Sequence, residues 1–352
     1  MIFVDGKPFN SSSSFSTSSS GSRPSDLLAA LLEHPILVAA TRSFKSIEER
    51  KVSKLPNSSS NPKYVYLFQR EYATVDPSLV HFVGTDEATT CVGVAIRNRK
   101  NGMTSVAHMD SPKIVDTGFS QMLKLVVDHD SDADLDVHLV GGFQDVPPDH
   151  ARDRSMSKGK RVSGYSSPLC RKIVETMQKR VEKFHVKTLC VLRHNTKYDS
   201  QENAYPIFNG FLVETSSGSV FPASFDRTSR CPDEIVRRLR VSASYEDPYW
   251  QGKLLDTYDT ETDRFIIAPC IWTNRLVQIV KSLRNLSDSD ILTTCSTSPL
   301  AEGPDFVENE KRLWDYLISN QDWLVTFPMA EPREFERTDE GGWERVVPIK
   351  IH

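Results

Sequence analysis

The sequence predicts an α+β protein built in layers, an α/β sandwich in which helices pack on a largely antiparallel sheet. Two observations predict it. From Tyr64 onwards the chain breaks into short runs rich in Val, Ile, Tyr and Phe, strand-sized and separated by turn residues. These runs alternate irregularly with amphipathic helical stretches, giving neither a βαβ repeat nor an all-β meander.

The elements follow in order. Residues 10–22, NSSSSFSTSSSGS, and the tract Pro56–Pro62 are too polar to bury apolar surface and read as flexible linkers. Between them Ser25 is placed to cap a helix through Leu27, Leu28, Leu31 and Leu32 that Pro35 ends. Strands are expected at 64–70, 79–83, 91–96 and 103–108, the last two joined by an Asn101-Gly102 turn as a hairpin. A helical stretch around 119–127 leads to a strand at 135–143, where the Gly141-Gly142 pair marks a bend or a close backbone approach. Leu169, Ile173, Met177, Val181 and Phe184 share one face of a helix over 168–184, with Pro168 in its first turn. Strands at 186–192, 207–214 and 219–225 precede a helix at about 233–241. Further strands are expected near 253–258 and 264–268, a helix at 305–318, and strands at 333–337 and 343–348 around Asp339–Gly342. The division that results is an N-terminal segment, 1–62, and a domain over 63–352 with a C-terminal extension.

At 352 residues with 38% hydrophobic residues and a mean hydropathy of -0.40, the chain can bury a core without a disulfide or metal staple. Lys and Arg number 43 against 47 Asp and Glu, a net charge of -4, so neither nucleic acid nor an anionic membrane is the expected partner. The longest apolar runs, such as Cys91–Ile96, are strand-sized and far short of the ~18 residues of a membrane span. Asp5 stands where a secretory signal carries its apolar core, and no arginine precedes Arg23 as a transit peptide would require; an intracellular address is expected. The six cysteines form no CxxC pair, which speaks against a disulfide framework and a zinc site.

No GxGxxG, Walker loop, HExxH or GxSxG is present, so the search for chemistry turns to nucleophiles. Cys91 opens a strand directly after GTDEATT (84–90), a small polar run able to present backbone N–H groups to a thiol. The partner strand of the hairpin ends at His108, 17 residues on, where pairing brings an imidazole beside the sulfur. The residues alone also allow the plainer account, a small core cysteine and a structural histidine. Cys170 and Cys190 read as core, Cys270 and Cys295 are undecided, and His138 reads as a strand residue with a satisfied ring. His129, His150, His185 and His194 fall near loops or element ends without a clear partner.

Four blocks in order, GTDEATTC (84–91), SVAHMD (105–110), DVHLVGGF (136–143) and STSPLAEGPDFVE (296–308), together resemble one family, the protein N-terminal asparagine amidohydrolases. The likeness runs from about Tyr64 to about Asn320 and includes VKTLCV (186–191), PASF (222–225) and YDTET (258–262). It does not extend to the Ser-rich tracts or beyond about Leu324. The same core is distantly similar to bacterial chemoreceptor glutamine deamidases and deamidating toxins, α/β sandwiches with a Cys–His–hydroxyl constellation. In that pattern the histidine follows the cysteine by 17 positions, as here, and Thr85, six positions before Cys91, falls where a threonine is expected.

The resemblance implies a catalytic domain with Cys91 as nucleophile, His108 as general acid and base, and Thr85 as the group that orients the ring. It implies conversion of a protein's N-terminal asparagine to aspartate with release of ammonia through a thioester on Cys91, with no metal and no organic cofactor. It further implies a place in the N-degron route, in cytosol and nucleus, where an arginyl-transferase and then a ubiquitin ligase act on the new terminus. A carboxylate is the natural reader of the free α-ammonium. Asp86, Glu87, Asp110 and Glu302 are candidates for it, and Ser296 and Ser298 for the substrate amide. Two rivals remain open on the sequence: a deamidase of internal Gln or Asn, and a catalytically silent interaction module.

Overall fold

The computed structural model describes residues 1–9, 26–53, 62–127, 132–145 and 164–346. The tract 10–22, nearly all of 56–62, Ser25, His129, His150 and the end of the expected 343–348 strand lie outside them.

The expected hairpin organises the fold. Strand Val92–Asn98 pairs antiparallel with Thr104–Met109, and Gly102 takes the positive φ of 77° that the connection demands. These two lie inside an eight-stranded sheet. On one side stand Glu71–Val75 and then Leu255–Asp256; on the other follow Asp134–Gly141, Lys183–Cys190, Ile2–Val4 and Lys7–Pro8. The sheet is mixed, a correction to the largely antiparallel sheet expected. Lys183–Cys190 runs parallel to Asp134–Gly141 because the helix Ser166–Lys179 carries the chain back across the sheet, and Ile2–Val4 adds a second parallel neighbour. The N-terminal segment thus supplies an edge of the large sheet.

A second sheet of five strands, in the order Arg50–Val52, Val220–Phe225, Phe211–Glu214, Phe82–Thr85 and Tyr64–Leu67, covers one face of the first. Period-two alternation divides the side chains between two cores. Val92, Val94, Ile96, Ala107 and Met109 pack with the helices Leu27–Glu33, Val115–Val126 and Ser166–Lys179. Ala95 and Val106 face the other way, onto Val83, Phe211 and Val213 of the second sheet. A four-stranded sheet, Tyr258–Asp259, Arg264–Ile267, Arg333–Arg337 and Trp343–Arg345, and the helices Glu234–Ser244, Asn274–Leu283, Asp288–Cys295 and Phe306–Ser319 extend this second core.

Several boundaries differ from the pattern reading. The helix expected over 168–184 ends at Lys179: Val181 is 73% exposed, and Phe184 belongs to the next strand, where it is buried against the helical layer. Pro35 ends one helix and opens another, Pro35–Lys45, its fixed φ suiting the first turn. Strand Glu71–Val75 and the helices Asn274–Leu283 and Asp288–Cys295 lie where the pattern reading placed no element. Of the histidines expected to lack partners, His185 contacts Asp134 at 2.5 Å and His194 Nδ1 lies 3.0 Å from the Leu189 carbonyl. The ring of His138 is satisfied by Thr188, as expected. Cys170, Cys190 and Cys270 are buried, and Cys295 is half-buried.

Candidate active site

The hairpin register sets Gly93 opposite His108, so the imidazole shares the face of Val106 and turns into the space between the sheets. Cys91 stands one residue before Val92, whose side chain enters the helical layer; alternation therefore directs the sulfur to the side of His108. Gly93 must be glycine, because a Cβ there would overlap the Phe211 ring. Gly141 approaches as the GG pair suggested: a Cβ at Gly141 would lie 2.7 Å from the Cys91 carbonyl, and its φ is 114°.

Thr85 ends its strand in the second sheet, fully buried, with its hydroxyl 2.8 Å from His108 Nδ1. The same hydroxyl donates to the Leu67 carbonyl at 2.7 Å. A hydroxyl has one proton, and a carbonyl can only accept it, so the Thr85 oxygen accepts from the Nδ1–H of His108. This fixes the tautomer that leaves Nε2 with its lone pair. Nε2 is buried and has no hydrogen-bond partner among the described residues.

Burial pushes the Cys91 thiol well above its usual range, and the charges of Asp110 and Glu302 raise it further. Burial also lowers His108 to about 4, against a small opposing pull from Glu87. Both shifts favour the neutral forms, a thiol at Cys91 and an imidazole at His108.

The four candidate carboxylates separate by their partners. Asp86 accepts from Tyr66 Oη at 2.7 Å and the Phe225 N–H at 2.8 Å and pairs with Arg230 at 3.1 Å; burial and Glu87 raise it to about 6 all the same. It is a brace of the loop after Thr85, with no oxygen left for a ligand. Glu87, at a positive φ of 60°, is held by Arg230 at 2.6 Å and by Arg238 at 2.9 and 3.0 Å. Asp110 differs. Its Oδ2 accepts from Tyr245 Oη at 2.5 Å and Gln69 Nε2 at 3.4 Å, while its Oδ1 is buried with no partner among the described residues. Glu302 accepts from Ser296 Oγ at 2.5 Å, and burial raises its carboxyl above the usual range.

The segment 296–302 is tied to the nucleophile loop through Thr297 Oγ1 and Thr90 Oγ1, 2.9 Å apart. Ser296 Oγ accepts from the Ser298 N–H at 2.9 Å, and Ser298 Oγ is buried and unpartnered. Of the N–H groups that the run 84–90 was expected to present, those of Ala88 and Thr89 already donate, to the Asn209 carbonyl at 2.7 Å and the Glu87 carbonyl at 3.0 Å. Sequence reading missed Tyr245, Gln69, Arg230, Arg238 and Glu310. The run EIVRRLR (234–240) was the visible signal for Arg238, but a charged helix gives no sign of which cations turn inward, and Arg230 lies in the loop before that helix. Among the described residues no group of His, Cys, Asp and Glu is arranged to hold a metal ion.

Against known proteins, the family model for "Protein N-terminal asparagine amidohydrolase" matches residues 54–345. A relative of that description from Arabidopsis thaliana is 60% identical over 349 residues, covering 98% of this chain and 100% of the relative. Relatives of the same description from Mus musculus and Homo sapiens are 31% and 30% identical over 80% of this chain and 84% of each.

Proposed function

Because this chain belongs to the protein N-terminal asparagine amidohydrolase family, we infer that it hydrolyses the side-chain amide of an N-terminal asparagine in the space around Cys91. The observation that carries the assignment of residues is that His108 Nε2, Asp110 Oδ1 and Ser298 Oγ are among the buried polar atoms with no hydrogen-bond partner among the described residues. Burying such atoms unpaired costs about 1–3 kcal/mol each, a cost that a ligand with matching groups removes. An N-terminal asparagine has them: an α-ammonium for Asp110 and an amide for Ser298 and His108.

In the proposed course His108 Nε2 takes the Cys91 proton and the thiolate attacks the carboxamide carbon. N–H groups near Thr90 and Cys91 face the oxyanion, and the His108 imidazolium protonates the departing nitrogen as ammonia leaves. Water, deprotonated by the same Nε2, then cleaves the thioester and leaves an N-terminal aspartate with a free thiol. Thr85 keeps the ring in the tautomer that both halves need. Neither half calls for a metal or an organic cofactor. Ser296 acts through Glu302, and Asp86 and Glu87 act as braces.

The reading of the product as a substrate for an arginyl-transferase in an N-degron route, in cytosol and nucleus, is part of the same proposal. The test is a peptide with a free N-terminal Asn beside its N-acetylated twin, followed by mass spectrometry, with Cys91→Ala as the inactive control. Conversion of the free peptide alone supports the proposal. Conversion of both favours the deamidase of internal amides, and of neither the silent module.

A further inference from the structure

The charges around Cys91 do not balance. Asp86, Glu87 and Asp305 all contact Arg230, and Glu87 also contacts Arg238. Asp110 and Glu302 have only neutral donors, Tyr245 and Gln69 for the first and Ser296 for the second, and no ion pair among the described residues. These are the two carboxylates whose charges act on the thiol.

We propose that the α-ammonium of the substrate itself activates Cys91: seated against Asp110 and Glu302, it supplies the cation that the chain withholds and lets the thiol pass its proton to His108 Nε2. This inference rests on the proposed function and adds to it a source of selectivity. An acetylated terminus or an internal asparagine meets a protonated, unreactive sulfur, so discrimination falls on the chemical step as well as on binding.

The surroundings support it from each packed element. The nucleophile loop offers Glu87, which Arg230 and Arg238 already neutralise; the His108 strand offers His108 and Asp110; the segment 296–302 offers Glu302. Helix Phe306–Ser319 adds Glu310, whose carboxyl burial raises to about 7 and which feels Arg238, Glu87 and Glu302. The Arg70 guanidinium lies 4.5 Å from the Tyr245 ring centre and hydrogen-bonds the Trp250 and Lys253 carbonyls rather than a carboxylate. None of these cations faces Asp110 or Glu302 as a partner.

The experiment is the pH dependence of iodoacetamide alkylation at Cys91, mapped by peptide mass spectrometry so that the half-buried Cys231 and Cys295 do not interfere. It is run on the full chain alone, with a short peptide starting with free glycine, and with the N-acetylated form of that peptide. Glycine presents the ammonium and leaves the sulfur uncovered. The free peptide should move the alkylation midpoint at least one pH unit lower, a tenfold faster rate at a fixed pH below it, and the acetylated peptide should not. Asp110→Asn and Glu302→Gln should each lower the midpoint without any peptide.

A midpoint unmoved by a free peptide that calorimetry shows to be bound overturns the inference, as does an unmoved midpoint in both variants. If the glycine peptide does not bind, the ammonium site falls and the inference with it. Turnover of an Asn peptide in the same preparation then shows that the proposed function stands independently.

Discussion

Thr85→Val removes one oxygen and keeps the side-chain volume, so it isolates what the hydroxyl does for His108. Two interactions go: donation to the Leu67 carbonyl at 2.7 Å and acceptance from His108 Nδ1 at 2.8 Å. In the resting enzyme the second is a bond between neutral groups, worth about 1 kcal/mol. On the proposed course the ring is an imidazolium in the transition states for thiol attack and ammonia release, and the same bond is then worth about 1.5–3 kcal/mol. The difference, about 0.5–2 kcal/mol, is the part that acts on rate, and it predicts a roughly 2- to 30-fold fall in kcat. Ammonia release from a free-Asn peptide at saturation measures it. Thr85→Ser keeps the oxygen and should stay within about threefold of the parent. The valine variant also leaves a buried N–H unpaired and should lose about 1–3 kcal/mol of stability, read as a lower Tm. A valine variant that turns over like the serine variant, with both folded, would refute the assignment of Thr85 as the orienting group.

Three further outcomes are expected. Because burial and two carboxylates hold the Cys91 thiol high in the free enzyme, kcat/KM should climb with pH through neutrality until the peptide's own α-ammonium, with an ordinary pKa of about 7.7–8.0, deprotonates. The acid limb of kcat, which reports the complex, should lie at lower pH; coincident limbs would contradict substrate activation. Gly93→Ala, at the position paired with His108, forces a methyl into the Phe211 ring, and should cost about 1–3 kcal/mol in chemical denaturation with a matching loss of activity. Glu310→Gln should stabilise at pH 8 and not at pH 5. The folded carboxyl titrates at about 7, above its ordinary 4.5, so its charge opposes folding as pH rises through that window. The gain is at most about 3 kcal/mol, less what the side chain's remaining solvent contact returns, and equal Tm changes at the two pH values would exclude it.

The parts of the site that the sequence made legible are those fixed by local geometry. An Asn101-Gly102 turn between two strand-sized runs determines the register, and the register alone sets His108 diagonally across the ladder from Cys91 at a spacing of 17 residues. The GG pair after DVHLV needed only the knowledge that glycine marks a close approach, and Gly141 lies against the Cys91 carbonyl. Strand Glu71–Val75 was hidden because burial on both faces removes the alternation that names a strand, whereas helix Asn274–Leu283 carries Leu276, Val277, Val280 and Leu283 on one face, a helical stripe that the pattern reading passed over.

The four carboxylates show where local reading ends. Asp86 and Glu87 adjoin the nucleophile loop in sequence and looked at least as well placed as Asp110 to read an ammonium. What separates them is pairing with Arg230 and Arg238, which arrive from chain more than a hundred residues away. A guanidinium that holds three carboxylates at 2.6–3.1 Å converts the nearest acids into framework and leaves Asp110 and Glu302 with neutral donors and no cationic partner among the described residues. On the proposed activation, selectivity for a terminus depends on which acids the arginines do not reach. An arginine introduced beside Asp110, at Gln69, would be expected to imitate the substrate's ammonium: alkylation of Cys91 in the free enzyme should quicken while turnover of an Asn peptide falls. Slower alkylation, or unchanged turnover, in a folded Gln69→Arg variant would show that charge balance at Asp110 does not govern the nucleophile.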